Sequence, residues 1–237
     1  MPVESQAAVF LQATRFFSDV FGDPDGAVSY AERVLAAEPG QPEAVARLEK
    51  IFGDSSDNAR LAKLYFDLAT HDRDPAVQLA RLRQVVEVAA DVAEMSAITD
   101  DALSRLHKID PGDAWVRDAL EQRLVAGGKP RESIKLLEAS LAREPAPGEV
   151  EAFQLRTRLL ELYGKDIGEP HRAVPHIEAL LAQTPAHAEA RRLAEGLLDN
   201  RAVAARVAAA LSDAYFKLGL ADQAAAILNL ELKTVRG

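Results

Sequence analysis

A chain of 237 residues with a formal net charge of −9 has no surplus of Lys and Arg for neutralising phosphate, so nucleic-acid binding through a general basic surface is excluded. Zero cysteines remove disulfides, thiolate metal ligands and a cysteine nucleophile together, and with nothing demanding an oxidising compartment the expected location is cytoplasmic. Apolar residues, mostly Ala and Leu, reach 48% while aromatics stay at 5%, which fits a folded all-α chain and neither a β-sandwich nor a disordered one.

The amino terminus, Met1 to Gln6, has no basic run, and the apolar stretch after it is broken by Gln12, Arg15 and Asp19, so no signal peptide is expected. Apolar spacing then predicts helices over 3–20, 25–37, 42–52, 57–70, 75–92, 95–109, 113–126, 130–143, 148–165, 170–183, 187–198, 201–218 and 220–235. Pro39, Pro111 and Pro185 punctuate this series, 72 and 74 residues apart. Ser56 or Asp57, Asp74 before Pro75, and Thr99 or Asp100 are the expected caps of three of these helices. Segments 53–57 and 144–148 read as turns, and 72–110 lacks a glycine turn and is expected to hold an irregular repeat. The run from Val203 to Leu211 is far short of the roughly 20 residues that span a bilayer.

Between Asp113 and Pro145, Leu120, Leu124, Gly128, Ser133, Leu137 and Ser140 fall at helix-face spacings around a Gly-Gly turn. Small residues there let two antiparallel helices approach closely, and large ones fill the space beside them. Leu211, Ser212, Tyr215, Gly219, Ala224 and Leu228 repeat the register. A third sign is internal: Phe17, Gly22, Pro24, Ala27, Val34, Pro39 and Ala44 match Tyr163, Gly168, Pro170, Ala173, Leu180, Pro185 and Ala190 at an offset of 146. The pattern resembles the 34-residue tetratricopeptide repeat, in a divergent subtype. The resemblance implies a right-handed α-solenoid of about six hairpins in a single domain over residues 1–237, acting as a scaffold that binds a protein or peptide segment on its concave face.

In that family positions 2, 5, 9 and 12 of each first helix face the ligand. The resemblance therefore nominates Trp115, Asp118, Gln122 and Val125 in one unit, and Arg206, Ala209, Asp213 and Phe216 in the last. Trp115 suits either an anchor for a ligand or a filler between neighbouring repeats. Asp118 and Gln122 stand where a clamp for a terminal carboxylate would carry lysine and asparagine, which favours an internal segment or a folded partner.

Catalytic signals are absent from the pattern. His171 and His176 are five apart, the wrong step for one helix face, and His71, His107 and His187 have no histidine at i+3 or i+4, so no metal and no cofactor are expected. Asp100-Asp101 and Glu149 with Glu151 have no neighbouring nucleophile or histidine and read as helix-start charges. Gly127-Gly128-Lys129 is followed by Pro130, not Ser or Thr, and reads as a hairpin turn; Ser55, Ser56 and Ser212 lie in no nucleophile motif. The alternatives to a scaffold are a peptide-sensing regulatory module, an enzyme on a helical toroid, and a module that self-associates through its end helices. The last rests on Phe10, Phe16, Phe17 and Phe21 in the first helix and on Ile227, Leu228, Leu230 and Leu232 in the last, apolar on more than one face. A final sequence Leu232 to Gly237 unlike a natural stop suggests a chain that continues in nature, and the Ala/Arg-rich composition suggests a bacterial one.

Overall fold

The computed structural model describes residues 3–90, 92–164 and 169–235, and every regular element among them is helical. The chain divides into two compact units, Met1–Leu120 and Glu121–Gly237. In the first, α1 (Val3–Arg15) runs into a π-helical turn, Phe16–Phe21, followed by α2 (Pro24–Ala37), α3 (Pro42–Asp54), α4 (Asn58–His71), α5 (Pro75–Ala89), a 3-10 turn (Ala93–Met95) and α6 (Ser96–Ile109). The helix α7 (Ala114–Ala126) carries the division. The second unit continues with α8 (Pro130–Leu141), α9 (Glu149–Tyr163), α10 (Pro170–Gln183), α11 (Ala188–Gly196), α12 (Ala204–Lys217) and α13 (Ala221–Val235).

Local chemistry explains where the helices begin. Proline occupies the first turn of α2, α3, α5 and α8, where its missing N–H costs nothing. Asp57 accepts from Arg60 N–H at 3.0 Å and Asp74 from Ala76 N–H at 2.9 Å, two of the three caps expected from the sequence. Thr99 is not a cap. The 3-10 turn leads straight into α6 at Ser96, so Thr99 lies inside the helix, buried, and its hydroxyl donates to the Met95 carbonyl at 3.0 Å. Residues 53 and 54, expected in a turn, extend α3 instead.

The hairpin turns after α7 and α12 end at Gly128 and Gly219, with φ of 68° and 75°, the left-handed conformation that a side chain strains. Ser133 and Ser140 of α8 are buried, as expected of the small positions in the register read from the sequence. The helices of each unit pack as successive hairpins of this kind.

The offset of 146 extends through whole elements. Adding it to the bounds of α2, α4 and α5 gives those of α10, α12 and α13, and it carries the starts of α1 and α3 onto those of α9 and α11. Detail follows the frame. Phe17 stacks on Tyr30 at 5.2 Å between centroids, and their counterparts Tyr163 and His176 stack at 6.2 Å. Gln41 caps α3 by accepting from Ala44 N–H at 2.7 Å, while His187 caps α11 by accepting from Ala190 N–H at 3.2 Å. Gly168, the partner of Gly22 in the sequence match, lies outside the described residues.

The two copies pack their interiors differently. In the first unit one cluster, with Val34, Leu48 and Phe52, joins α2, α3 and α4, and a second, with Leu82, Leu103 and Leu106, joins α4, α5 and α6. Half-buried Leu61 and Leu68 of α4 touch both. In the second unit a single cluster runs from Ile134 through Leu159, Ile177 and Leu211 to Ile227.

Candidate protein-interaction sites

On α7, Asp113 fixes the helix start by accepting from Trp115 N–H at 3.0 Å, and it pairs with Arg83 of α5. The Arg83 guanidinium lies 5.7 Å from the Trp115 ring centre, a cation–π contact that leaves the residue 43% exposed. Trp115 is thus supported from one side and open on the other. Asp118 is exposed and pairs with buried Arg117 at 2.8 Å. Gln122 is exposed and Val125 half-buried against the core of the second unit, whereas Trp115 and Asp118 belong to the first.

On α12, Val207, Leu211, Ala214 and Tyr215 are buried, while Phe216 stands 74% exposed on the other face. Arg206 is exposed but engaged, donating to both carboxylate oxygens of Glu178 on α10 at 2.9 and 2.5 Å. Asp213 pairs with Lys217 at 2.7 Å, and Ala209 is exposed. At the last helix Ile227 is buried and Leu228 exposed; the side chains of Leu230 and Leu232 lie outside the described residues.

Sequence reasoning missed a cleft of about 550 Å³ in the first unit. Its floor is Leu48 and Phe52 of α3, its walls Glu32, Leu35 and Ala36 of α2 and Arg60, Lys63 and Leu64 of α4. A second hollow of about 520 Å³ shares Pro39, Gly40, Leu68 and His71 with it. There Arg81 pairs with Glu49 at 2.9 Å and lies 5.3 Å from the Tyr65 ring centre. The signal available in the sequence was the offset of 146, which also equates Glu32 with Glu178 and Arg60 with Arg206.

At the end of α1, Phe16, Val20 and Phe21 are exposed, the last two at 71% and 69%. Beside them Arg47 hydrogen-bonds Asp19 at 2.7 and 2.9 Å and Glu43 at 3.2 Å, and Arg15 clasps Glu43. The Arg47 and Ser18 hydrogen bonds hold the Asp19 carboxyl down at about 2, and those from Arg15, then Arg47, hold Glu43 at about 2. Burial pushes His107 and His176 below the usual imidazole range, and His107 Nδ1 is buried without a hydrogen-bond partner. Burial, then the hydrogen bond to Glu138 at 2.6 Å, raises the Tyr163 hydroxyl. Among the described residues no three His, Asp or Glu gather as a metal site, and no helix is long and apolar enough to cross a membrane.

No family model matches the chain, and no characterised protein matches it by sequence. Solved structures similar to it include a tetratricopeptide repeat protein from Parabacteroides merdae, 14% identical over 97% of this chain and 80% of that one, with a TM-score of 0.39. A thermophilic TPR protein in Thermus thermophilus is 20% identical over 83% of this chain and 99% of its own, TM-score 0.31. The flexible tandem repeat domain of a bacterial cellulose synthase is 18% identical over 96% of this chain and 92% of its own, TM-score 0.32. At these scores none of the three bears on what this chain binds.

Proposed function

We propose that the chain is a non-catalytic protein-interaction scaffold that holds a segment of a partner protein through exposed side chains on its helical hairpins. The observation that carries this reading is Phe216: a large aromatic left in water on a helix whose opposite face is fully packed, at a position the hairpin register nominates for ligand contact. Trp115, cushioned by Arg83, is its counterpart in the first unit, with Asp118 on the same helix; in the second unit Arg206 and Asp213 share α12 with Phe216, and Gln122 and Val125 are further candidates. Preformed helices lose little freedom on binding, so a few aromatic contacts suffice for useful affinity.

The test is affinity capture from lysate with the chain and with the double variant Trp115→Ala, Phe216→Ala, both giving the same helical spectrum. A defined protein retained by the first and lost by the second supports the reading. The same protein retained by both contradicts it.

The exposed Phe16, Val20 and Phe21 favour a second reading, a module that pairs with its own copies through the end of α1. Sedimentation equilibrium decides it. A dimer abolished by Phe21→Asp supports it, and a monomer at all concentrations removes it.

A further inference from the structure

The cleft between α2 and α4 is open in the first unit, while the corresponding walls in the second close on each other. There α10 packs directly on α12, and Arg206 donates from Nε and Nη2 to the two carboxylate oxygens of Glu178. Side-chain size accounts for the difference. Leu48, Phe52, Leu64 and Leu68 stand between the walls of the first unit, where a shift of 146 places Ala194, Leu198, Ala210 and Ala214 in the second. Alanine lets two helices approach; leucine and phenylalanine hold them apart.

Holding the walls apart leaves Glu32 in a different state from Glu178. Glu32 lines the cleft and makes no ion pair among the described residues. Its equivalent cation, Arg60, is directed to Asp57 at 3.4 Å and over the Phe52 ring at 5.9 Å. Lys63, on the same wall as Arg60, is neutralised by Asp67 at 2.6 Å. The cleft thus has an apolar floor, one wall of balanced charge, and one wall with an unbalanced carboxylate.

We infer that this cleft docks a basic, apolar segment of a partner protein. An arginine of the partner lies on Glu32 as Arg206 lies on Glu178, and an apolar side chain one helical turn away packs on the solvent-reaching Leu35, Ala36 and Leu68, above the buried Leu48, Phe52 and Leu64. Two further features favour a cation over an anion. The cleft borders the last turn of α2, whose carbonyl end is the negative pole of the helix and is followed by exposed Glu38. The whole chain carries −9, which raises the encounter rate with basic segments. The inference rests on the chain being an interaction scaffold, but on neither Trp115 nor Phe216.

The probe is a fluorescein-labelled peptide, acetyl-Ala-Arg-Ala-Ala-Leu-Ala-Ala-Arg-Ala-Ala-Leu-Ala-amide, titrated with the full chain and read by anisotropy, beside a counterpart with Glu for each Arg. Saturable binding of the arginine peptide is expected, with the glutamate peptide about tenfold weaker. Glu32→Gln weakens the arginine peptide about fivefold, an exposed charge pair being partly screened, while Glu178→Gln leaves binding unchanged. Glu32 is exposed and Glu178 half-buried, and an unaltered helical spectrum controls for folding in both variants. Absence of saturable binding, equal binding of the two peptides, or indifference to Glu32→Gln overturns the inference. Preference for the glutamate peptide, lost in Arg60→Ala, also overturns it by assigning the cleft to an acidic segment. Failure of this titration leaves the aromatic capture experiment standing, so the two readings fail separately.

Discussion

Helices α1–α5 and α9–α13 follow one plan at an offset of 146, yet one copy has a divided core with a cleft and the other a continuous core with its walls clasped. The lesson is that the hairpin plan is set by positions common to both, such as Pro24 and Pro170, Ala27 and Ala173, or Ala44 and Ala190, whereas openness is set by a few wall residues that differ. Backbone plan and cleft are specified by different residues, which is how a repeat diversifies without losing its fold.

The largest expected effects come from emptying the two cores. Leu211→Ala and Leu48→Ala each remove a fully buried side chain and should each cost about 2–5 kcal/mol. The comparison predicts different reach. Hydrogen exchange should quicken across α9–α13 in the first variant, but in α2 and α3 only, with α5 and α6 still protected, in the second. Loss of protection across both clusters by Leu48→Ala would dissolve the distinction between a divided and a continuous core.

Next in size is the exchange of wall residues. Ala214→Leu puts the residue of the open copy into the closed one at a fully buried position and should cost about 1–3 kcal/mol in denaturant unfolding. Ala173→Phe or Ala224→Phe, at buried small positions of the hairpins, should cost a similar amount, about 1–3 kcal/mol. An unchanged midpoint in all three would remove the packing argument. Smaller, about 1 kcal/mol, is Gly26→Ala, where a Cβ would meet the Phe17 ring at 2.5 Å; Arg172 occupies the same place in the other copy. Near-ultraviolet circular dichroism should show the Phe17–Tyr30 stack disturbed.

The smallest effects are those of pH. Asp19 and Glu43 have folded-state values of about 2, below their ordinary range, so their contribution is present at neutral pH and lost as pH falls toward 2. Asp19 is largely open to solvent and Glu43 partly so, which screens both and keeps the change modest. His107 and His176 are also held below the usual imidazole value, so their stabilisation is present above about pH 6.5 and declines as they protonate on acidification. Thermal midpoints of His107→Gln and His176→Gln should depend less on pH between about 7 and 5 than those of the parent chain. An identical pH dependence would show that neither histidine is protonated differently in the folded and unfolded states.

Much of this plan was legible in the sequence because prolines and glycines act locally. A proline at the first helical position, an aspartate before it, and a glycine at positive φ each determine one boundary without help from distant residues. Segment 72–110 was hard for the same reason: Asp72 to Pro75 makes the turn without glycine, and α6 begins through a 3-10 turn with no capping side chain, which left Thr99 as the natural start by sequence. The sites were less legible. The exposures of Trp115 and Phe216 depend on how a helix is rotated, which periodicity indicates only roughly. The cleft depends on the difference between Leu64 and Ala210, or Leu68 and Ala214, a contrast that acquires meaning once the helices are placed side by side.

The absence of native cysteine permits the most direct measurement. Spin labels on the pairs Glu32→Cys with Arg60→Cys and Glu178→Cys with Arg206→Cys, in otherwise intact chains, give the two wall separations by pulsed electron resonance. The account predicts a longer separation for the first pair and a shorter, narrower one for the second. Equal distributions would mean that the two copies are open or closed alike, and would contradict it.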